Sequence, residues 1–340
     1  TENIGGALTI ENDFGDVALT LISAFRDIST ELPFDFDGSP ERGPNLQDIQ
    51  SEQTLLSQEV RLDGGFGDRL SWLVGAYAFR EDSLTDRSAL FADLQWRPVD
   101  WLEIGGGLRY ARESVDSDVV LDFALPGIVA ISETGSGSLT DSNISPTVSI
   151  RANLTDNLAA YARYARGFKA GGFPLAPASA TTNISFGPET SDNYEIGLKG
   201  SSLGGILDFN FALFRIDLSD QQLSTIVFLN GDPNLPVASV GNAGSSRSEG
   251  FELDMAIRPS PWITLGGNVG YTDATYRSYF DTVGADRSGE RFPFVPEWTA
   301  ELYGRATIPI GDFGDLTLGA NFRHVGDILS GSGVDVDLQF

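Results

Sequence analysis

The sequence predicts an all-β chain, an antiparallel up-and-down β-barrel that crosses a membrane with its strands. Three observations lead there. Apolar and polar residues alternate at period 2 through most of the 340 residues, and segments of helical period are scarce. The connections alternate between tight turns and long polar links. The alternating runs are about 9–13 residues long, where soluble strands average about 5–6 and tilted membrane-crossing strands need about 9–11.

The elements follow in order. Tight turns are expected at Phe14–Asp16, Asp63–Arg69, Arg97–Asp100, Asn153–Asn157, Ser201–Gly205, Arg258–Pro261 and Ile310–Asp315. Long polar links are expected at Glu31–Glu52, Glu113–Asn143, Phe168–Ser191, Ser219–Gly244 and Arg277–Glu297, with a brief one on the same side at Glu81–Arg87. Loops extended on one side only describe an up-and-down barrel, here with about 15 strands.

Strand faces can be assigned by parity. In WLEIGGGLRYARE, Leu102, Ile104, Gly106, Leu108 and Tyr110 share a face, opposite Glu103, Gly105, Gly107, Arg109 and Glu113. Leu207, Phe209, Phe211 and Leu213 oppose Asp208 and Asn210; Phe251, Leu253, Met255 and Ile257 oppose Glu252, Asp254 and Arg258. Ile263, Leu265, Gly267, Val269 and Tyr271 form another such face, and Leu316, Leu318, Ala320 and Phe322 the last. From Leu102 to Tyr110 is roughly 26 Å of strand, which a tilt of about 40° reduces to near 20 Å, slightly under the ~25 Å apolar band of an outer-membrane barrel. Two segments repeat: QWRPVDWLEIGGGLRY (Gln95–Tyr110) and AIRPSPWITLGGNVGY (Ala256–Tyr271) each give strand, Arg-Pro, turn, Trp, strand. Trp101 and Trp262 fall off the apolar parity and belong to the turns. A soluble sandwich would also alternate, but its apolar face needs bulky core residues. Here the polar face carries Arg, Glu, Asp and Asn on many consecutive strands, which suits a wet lumen.

Composition excludes several classes. Net charge is −26, from 22 basic and 48 acidic side chains, which argues against nucleic acid. Acidity of this kind suits solvated loops, cation attraction or a divalent-bridged lipopolysaccharide surface. Cysteine is absent, so no disulfide or thiolate metal site exists, and the single histidine, His324, leaves no room for a zinc site or a Ser/Cys–His triad. The chain begins with Thr1 and is expected to be processed or a fragment.

Candidate chemistry is thin. The carboxylate pairs Asp116/Asp118 and Asp335/Asp337 are expected to be solvated, and Gly105-Gly106-Gly107 precedes no helix, so strand glycines replace a nucleotide loop. No catalytic, cofactor-binding or metal-ligating residue is assigned, no enzyme activity is expected, and the substrate-binding residues are left open. The acidic link Glu31–Glu52, with Asp35, Asp37, Glu41 and Asp48, either draws a cationic ligand or is solvated. Phe34, Phe36, Phe168, Phe173, Tyr279 and Phe280 lie in or beside long links, where a ligand could touch them.

Several segments resemble the TonB-dependent outer-membrane receptors, the iron-complex receptor family. They are SQEVRL (Ser57–Leu62), LSWLVGAYAFRE (Leu70–Glu81), GLRYARE (Gly107–Glu113), SPTVSIRANLTDNLAAYARYARGFKAGGF (Ser145–Phe173), PETSDNYEIGLKG (Pro188–Gly200), NAGSSRSEGFELD (Asn242–Asp254) and FPFVPEWTAELYG (Phe292–Gly304). They occur in order across nearly the whole chain. The resemblance implies a barrel of about 22 strands closed around an N-terminal plug, in the outer membrane of a Gram-negative bacterium. It implies uptake of a ferric siderophore or similar bulky, scarce nutrient, with TonB, outer-membrane lipid and lipopolysaccharide as partners. Residues 1–340 are then expected to be a partial barrel domain that lacks the plug and the last strands. The alternation of Val334, Val336, Leu338 and Phe340 imitates a barrel's terminal signal. Such a fragment is expected not to insert or transport alone, because lipid cannot satisfy its unpaired edges. Two other readings stay open: a passive porin-like channel and a soluble β-rich binding protein. In the stretch YARYARGFKAGGF, Leu158, Ala160, Ala162 and Tyr164 are expected to face lipid, and Tyr161, Arg163 and Ala165 the lumen. Arg166 shares the lipid parity near the interface, and Gly167 marks the outer rim, where Lys169 or Phe173 could meet a ligand.

Overall fold

The computed structural model describes residues 2–35, 46–82, 84–125, 129–174, 185–228, 236–242, 244–280, 285–329 and 335–336. The strands are β1 (Glu2–Asp13), β2 (Val17–Asp35), β3 (Leu46–Phe66), β4 (Leu70–Glu81), β5 (Thr85–Val99), β6 (Leu102–Leu125) and β7 (Val129–Thr155). Next come β8 (Leu158–Lys169), β9 (Glu189–Ser202), β10 (Leu207–Ser219), β11 (Gln222–Phe228), β12 (Pro236–Asn242) and β13 (Gly244–Ser260). The chain continues through β14 (Ile263–Tyr279), β15 (Trp298–Pro309), β16 (Asp315–Val325), β17 (Ile328–Leu329) and β18 (Asp335–Val336). No helix of the described residues is long and apolar enough to cross a membrane, which leaves crossing by strands untouched.

Fourteen strands form one sheet in the order β1 to β10, then β13 to β16; each neighbour pair with a described register is antiparallel. β11 and β12 form a separate hairpin, as do β17 and β18. The expected count of about 15 strands is therefore close for the main sheet. The long links need correcting. Glu113–Asn143 is largely strand, since β6 runs on to Leu125 and β7 starts at Val129, and Ser219–Gly244 holds the β11–β12 hairpin. The strand signal there is partial: Val119, Leu121, Phe123 and Leu125 alternate in β6, but the Ser-, Thr-, Gly- and Asp-rich residues around them make the whole segment read as a link.

The chain divides into two compact units. One takes its described residues from Thr1–Leu94, Gly107–Ile144 and Ser179–Ser185, the other from Gln95–Gly106, Ser145–Ala178 and Phe186–Phe340. In the first, Ile10, Leu21, Val60 and Ala76 stand side by side across four strands, while Glu11, Thr20, Arg61 and Gly75 form the row on the opposite face. In the second, Ala162, Ile196, Leu213, Phe251, Tyr271 and Trp298 are successive cross-strand neighbours. Pleating sends alternate side chains to opposite faces, so a one-residue slip would exchange the two faces.

A hydrophobic core is missing among the described residues. The buried apolar residues are all alanines, Ala89, Ala159, Ala212 and Ala274, whereas Ile196 is 55% exposed, Leu265 49% and Leu302 62%. A soluble sandwich would bury those large side chains; a membrane wall presents them to lipid. Aromatic rings gather at the long-link end of this face. Tyr271 lies 4.8 Å from Trp298 and 6.1 Å from Phe251, and Tyr164 lies 5.2 Å from Tyr194, centroid to centroid. Such rings suit a membrane interface.

The repeated hairpins adopt the same local structure. Trp101 and Trp262 both sit in turns, and their carbonyls accept from Asn153 N at 2.7 Å and Thr307 N at 2.8 Å, on the neighbouring strand in each case. Their expected exclusion from the apolar face holds.

Candidate functional site

The polar face of the second unit is the first part of the site. Register places Ala159, Lys199, Asn210, Asp254, Asn268, Glu301 and Arg323 in a single row across seven strands. Opposite charges thus stand on adjacent or next-adjacent strands, and the buried side-chain oxygen of Asn210 has no partner. Nearer the long links, Arg163, Asn193, Glu195, Phe214, Ser248 and Glu252 line a cleft of about 590 Å³. Tyr161 hydrogen-bonds Glu195 along its lower edge. Alternation alone aims Tyr161, Arg163 and Ala165 at this face and Tyr164 at the other, as the sequence implies.

The second part is a bracing network where the long links meet. Gln222 Nε2 donates to Ala170 O at 2.8 Å and Gly187 O at 3.0 Å, and its backbone N donates to Glu189 Oε2 at 2.7 Å. Asn242 Nδ2 donates to Gly187 O at 2.9 Å and Asp220 O at 2.7 Å, while its Oδ1 accepts from Gly187 N at 2.6 Å. These two side chains fix the base of the β11–β12 hairpin to the segment between β8 and β9. A bridge between Gly172 and Phe186 closes the same segment. Beside β14, Tyr276 packs on Tyr279 at 4.6 Å and on Phe292 at 4.4 Å. Asp286 accepts from Ser288, whose hydroxyl and N–H hold its carboxyl below the usual carboxylate range.

Of the residues expected near a ligand, Lys169 ends β8, exposed and paired in register with Glu189; Phe168 and Phe173 are half-buried. Tyr279 joins the aromatic cluster, and Phe280 is exposed. Phe34 and Asp35 end β2 and Asp48 lies early in β3, while Phe36, Asp37 and Glu41 lie outside the described residues. Asp116 and Asp118 are exposed in β6, Asp335 lies in β18, and Asp337 is outside the described residues, as are Val334, Leu338 and Phe340. Gly105, Gly106 and Gly107 sit within β6. His324 is exposed on β16, and no cluster of three or more potential metal ligands occurs among the described residues. Sequence reasoning did not find Gln222 and Asn242. Their partners are up to 55 residues away, and nothing local marks them. Glu195 and Glu252 could have been found by extending the parity of Arg163 across the register.

A family model described as TonB dependent receptor-like, beta-barrel, matches residues 3–338. The pesticin receptor of Yersinia enterocolitica is 29% identical over 215 residues, covering 62% of this chain and 29% of that protein. The ferric-pyoverdine M114 receptor PbuA of Pseudomonas sp. (strain M114) is 25% identical over 250 residues, covering 70% of this chain and 28% of that protein. Among solved structures, the ferric yersiniabactin uptake receptor FyuA from Yersinia pestis superposes with a TM-score of 0.77 at 20% identity, covering 96% of this chain and 50% of that one. The ferripyoverdine receptor of Pseudomonas aeruginosa gives 0.69 at 16%, covering 96% and 46%. The chain therefore spans about half the length of these structures and under a third of the curated relatives it matches. With the apolar face turned to lipid, a charged face opposite and the family model matching residues 3–338, the chain belongs to the TonB-dependent receptor-like β-barrel family, outer-membrane proteins of Gram-negative bacteria.

Proposed function

We propose that residues 1–340 form part of the barrel wall of an active-transport receptor, which takes up a ferric siderophore or a similarly bulky, scarce nutrient with energy from TonB. The observation that carries this is the family match across residues 3–338. The relatives add to it, since their names are those of pesticin, ferric-pyoverdine and ferric-yersiniabactin receptors. The polar wall and the braced long-link side fit the role. A mixed-charge face can meet a large polar solute at several points, and Gln222 and Asn242 hold the surrounding segments in place before binding, which lowers the ordering cost. The protein is read as a transport receptor, not an enzyme. A passive porin-like channel is the weaker reading, because the matched family and relatives are receptors.

The test is iron uptake. A strain deleted for the gene is supplied with one defined ferric siderophore at a time, and cell-associated radioactive iron is followed with TonB intact or removed. One siderophore should lose uptake in both the deletion strain and the TonB-less strain. Uptake that survives without TonB would support the passive channel instead, and unchanged uptake of every iron complex would redirect the search to cobalamin or carbohydrate.

A further inference from the structure

On the polar face of the first unit, register stacks two rows toward the long links. Ala7, Ala24, Ser57 and Phe79 stand in one row, four residues along each strand from Glu11, Thr20, Arg61 and Gly75. Gly5, Arg26, Leu55 and Glu81 form the next row in the same direction. From Val17 to Arg26 is nine steps of β2, which at about 3.3 Å per residue and a tilt near 40° is roughly 23 Å. The Arg26 guanidinium therefore stands near the rim of the wall, on the long-link side.

A cleft of about 640 Å³ lies on this face, lined by Asn3, Ala7, Ala24, Arg26, Leu55 and Phe79. Its floor is apolar: Ala24, Leu55 and Phe79 are half-buried, and Arg87 lies 5.3 Å over the Phe79 ring. Neighbouring carboxylates are engaged or distant. Glu59 holds Arg61, and Glu113 holds Arg87 at 2.8 Å. Glu81 shares the Arg26 row but stands two strands away, about 10 Å at the usual strand spacing. Arg26 is exposed, and among the described residues it makes no ion pair. In a chain with 48 acidic and 22 basic side chains, a guanidinium left without a carboxylate beside a cleft is available to an anion from outside.

We infer that the solute this wall receives is an organic anion, an oxyanion group such as a carboxylate or phenolate borne on an aryl or other apolar body. The anionic oxygens meet Arg26, and the body lies over Ala24, Leu55 and Phe79. Guanidinium can donate two parallel hydrogen bonds to one oxyanion, and its charge separates such a solute from a neutral sugar or a cation. An aryl ring against Phe79 adds buried apolar area and a ring contact. The inference rests on the proposed transport role and gives it a substrate class, while the binding step is measured without transport.

The test uses the intact protein purified from outer membranes in mild detergent and three radiolabelled probes of similar size. They are benzenesulfonate, its neutral analogue benzenesulfonamide, and the cation benzyltrimethylammonium. Binding is read by equilibrium dialysis. Benzenesulfonate should bind about tenfold more tightly than the sulfonamide, the scale of one charge-assisted hydrogen bond, and the cation should bind most weakly. R26Q should bring benzenesulfonate down to the level of the sulfonamide, while R69Q, in the tight turn after β3, should leave the ratio unchanged. Equal binding of the first two probes by the wild-type protein would overturn the inference without any variant. So would a ratio that survives R26Q in a heat-modifiable, folded protein. In cells, excess benzenesulfonate should slow the gene-dependent and TonB-dependent uptake of radioactive iron, and the sulfonamide should not. Uptake indifferent to benzenesulfonate would overturn the assignment to the transported solute. Loss of the transport role, with no TonB-dependent uptake of any iron complex, would still uphold the anion cleft if the probe ratio and its dependence on Arg26 hold.

Discussion

Tyr161 lies across Gly197 on the adjacent strand, and the contact explains both residues. A Cβ at position 197 would stand 2.6 Å from the Tyr161 ring and 2.5 Å from Phe211 O, so only glycine lets the ring lie flat along the wall. The ring then reaches Glu195 with its hydroxyl, next to the cleft. Tyr303 covers Gly266 in the same manner on β15 and β14. Small residues on the polar face thus make room for large ones on the next strand, and the buried alanines Ala159 and Ala212 belong to the same arrangement. Gly197→Val should cost about 1–3 kcal/mol through overpacking, seen as a lower urea midpoint for unfolding in micelles. Gly6→Val is the control, since a Cβ there meets nothing within 4 Å and the midpoint should stay within error. Equal effects at the two positions would rule out the ring contact as the cause.

At the scale of elements, the β11–β12 hairpin depends on its base. Asn242 supplies two donated bonds and accepts a third, and none is replaced if the amide is removed. Asn242→Ala should destabilise the hairpin locally by about 1–3 kcal/mol, and so raise protease cleavage between Gln222 and Asn242 by about tenfold or more. The strands of the main sheet should remain as resistant as before. Cleavage at the wild-type rate would show that the hairpin is held by something else. This element also marks a limit of legibility. The membrane-crossing parts of β8, β10, β13 and β14 can be taken from parity alone, because lipid imposes one rule on every second side chain. The far ends of β6 and β7, and all of β11 and β12, lie within segments whose polar residues make them read as links, although Val119, Leu121, Phe123 and Leu125 do alternate in β6. The tight turns carry their own chemistry, with Arg-Pro before Trp101 and Trp262, and are legible to within a few residues.

For the whole molecule, the decisive fact is that the large apolar side chains are outside. Alternation in the sequence permits both a soluble sandwich and a membrane wall, and the charged opposite face and the family resemblance favour the wall. The exposure of Ile196, Leu265 and Leu302 decides it on physical grounds, since no soluble packing leaves that face bare. The candidate site is less legible than the fold, because a wall becomes a site only when register aligns Lys199, Asn210, Asp254 and Glu301 across strands far apart in sequence. Asn268 and Val269, adjacent in β14, provide a direct test of the two faces. Val269 stands between Leu253 and Ala300 on the apolar face, about midway up the band, and Asn268 stands between Asp254 and Glu301 on the polar face. Val269→Arg should cost about 2–4 kcal/mol, because the guanidinium must enter hydrocarbon. Asn268→Arg brings the same charge between two carboxylates in a wet interior, where it should be neutral or mildly stabilising. The measurement is the heat-modifiable folded fraction recovered from outer membranes for each variant. A loss for the first and none for the second confirms the orientation; the reverse pattern would mean that the faces are exchanged and that the charged row faces lipid.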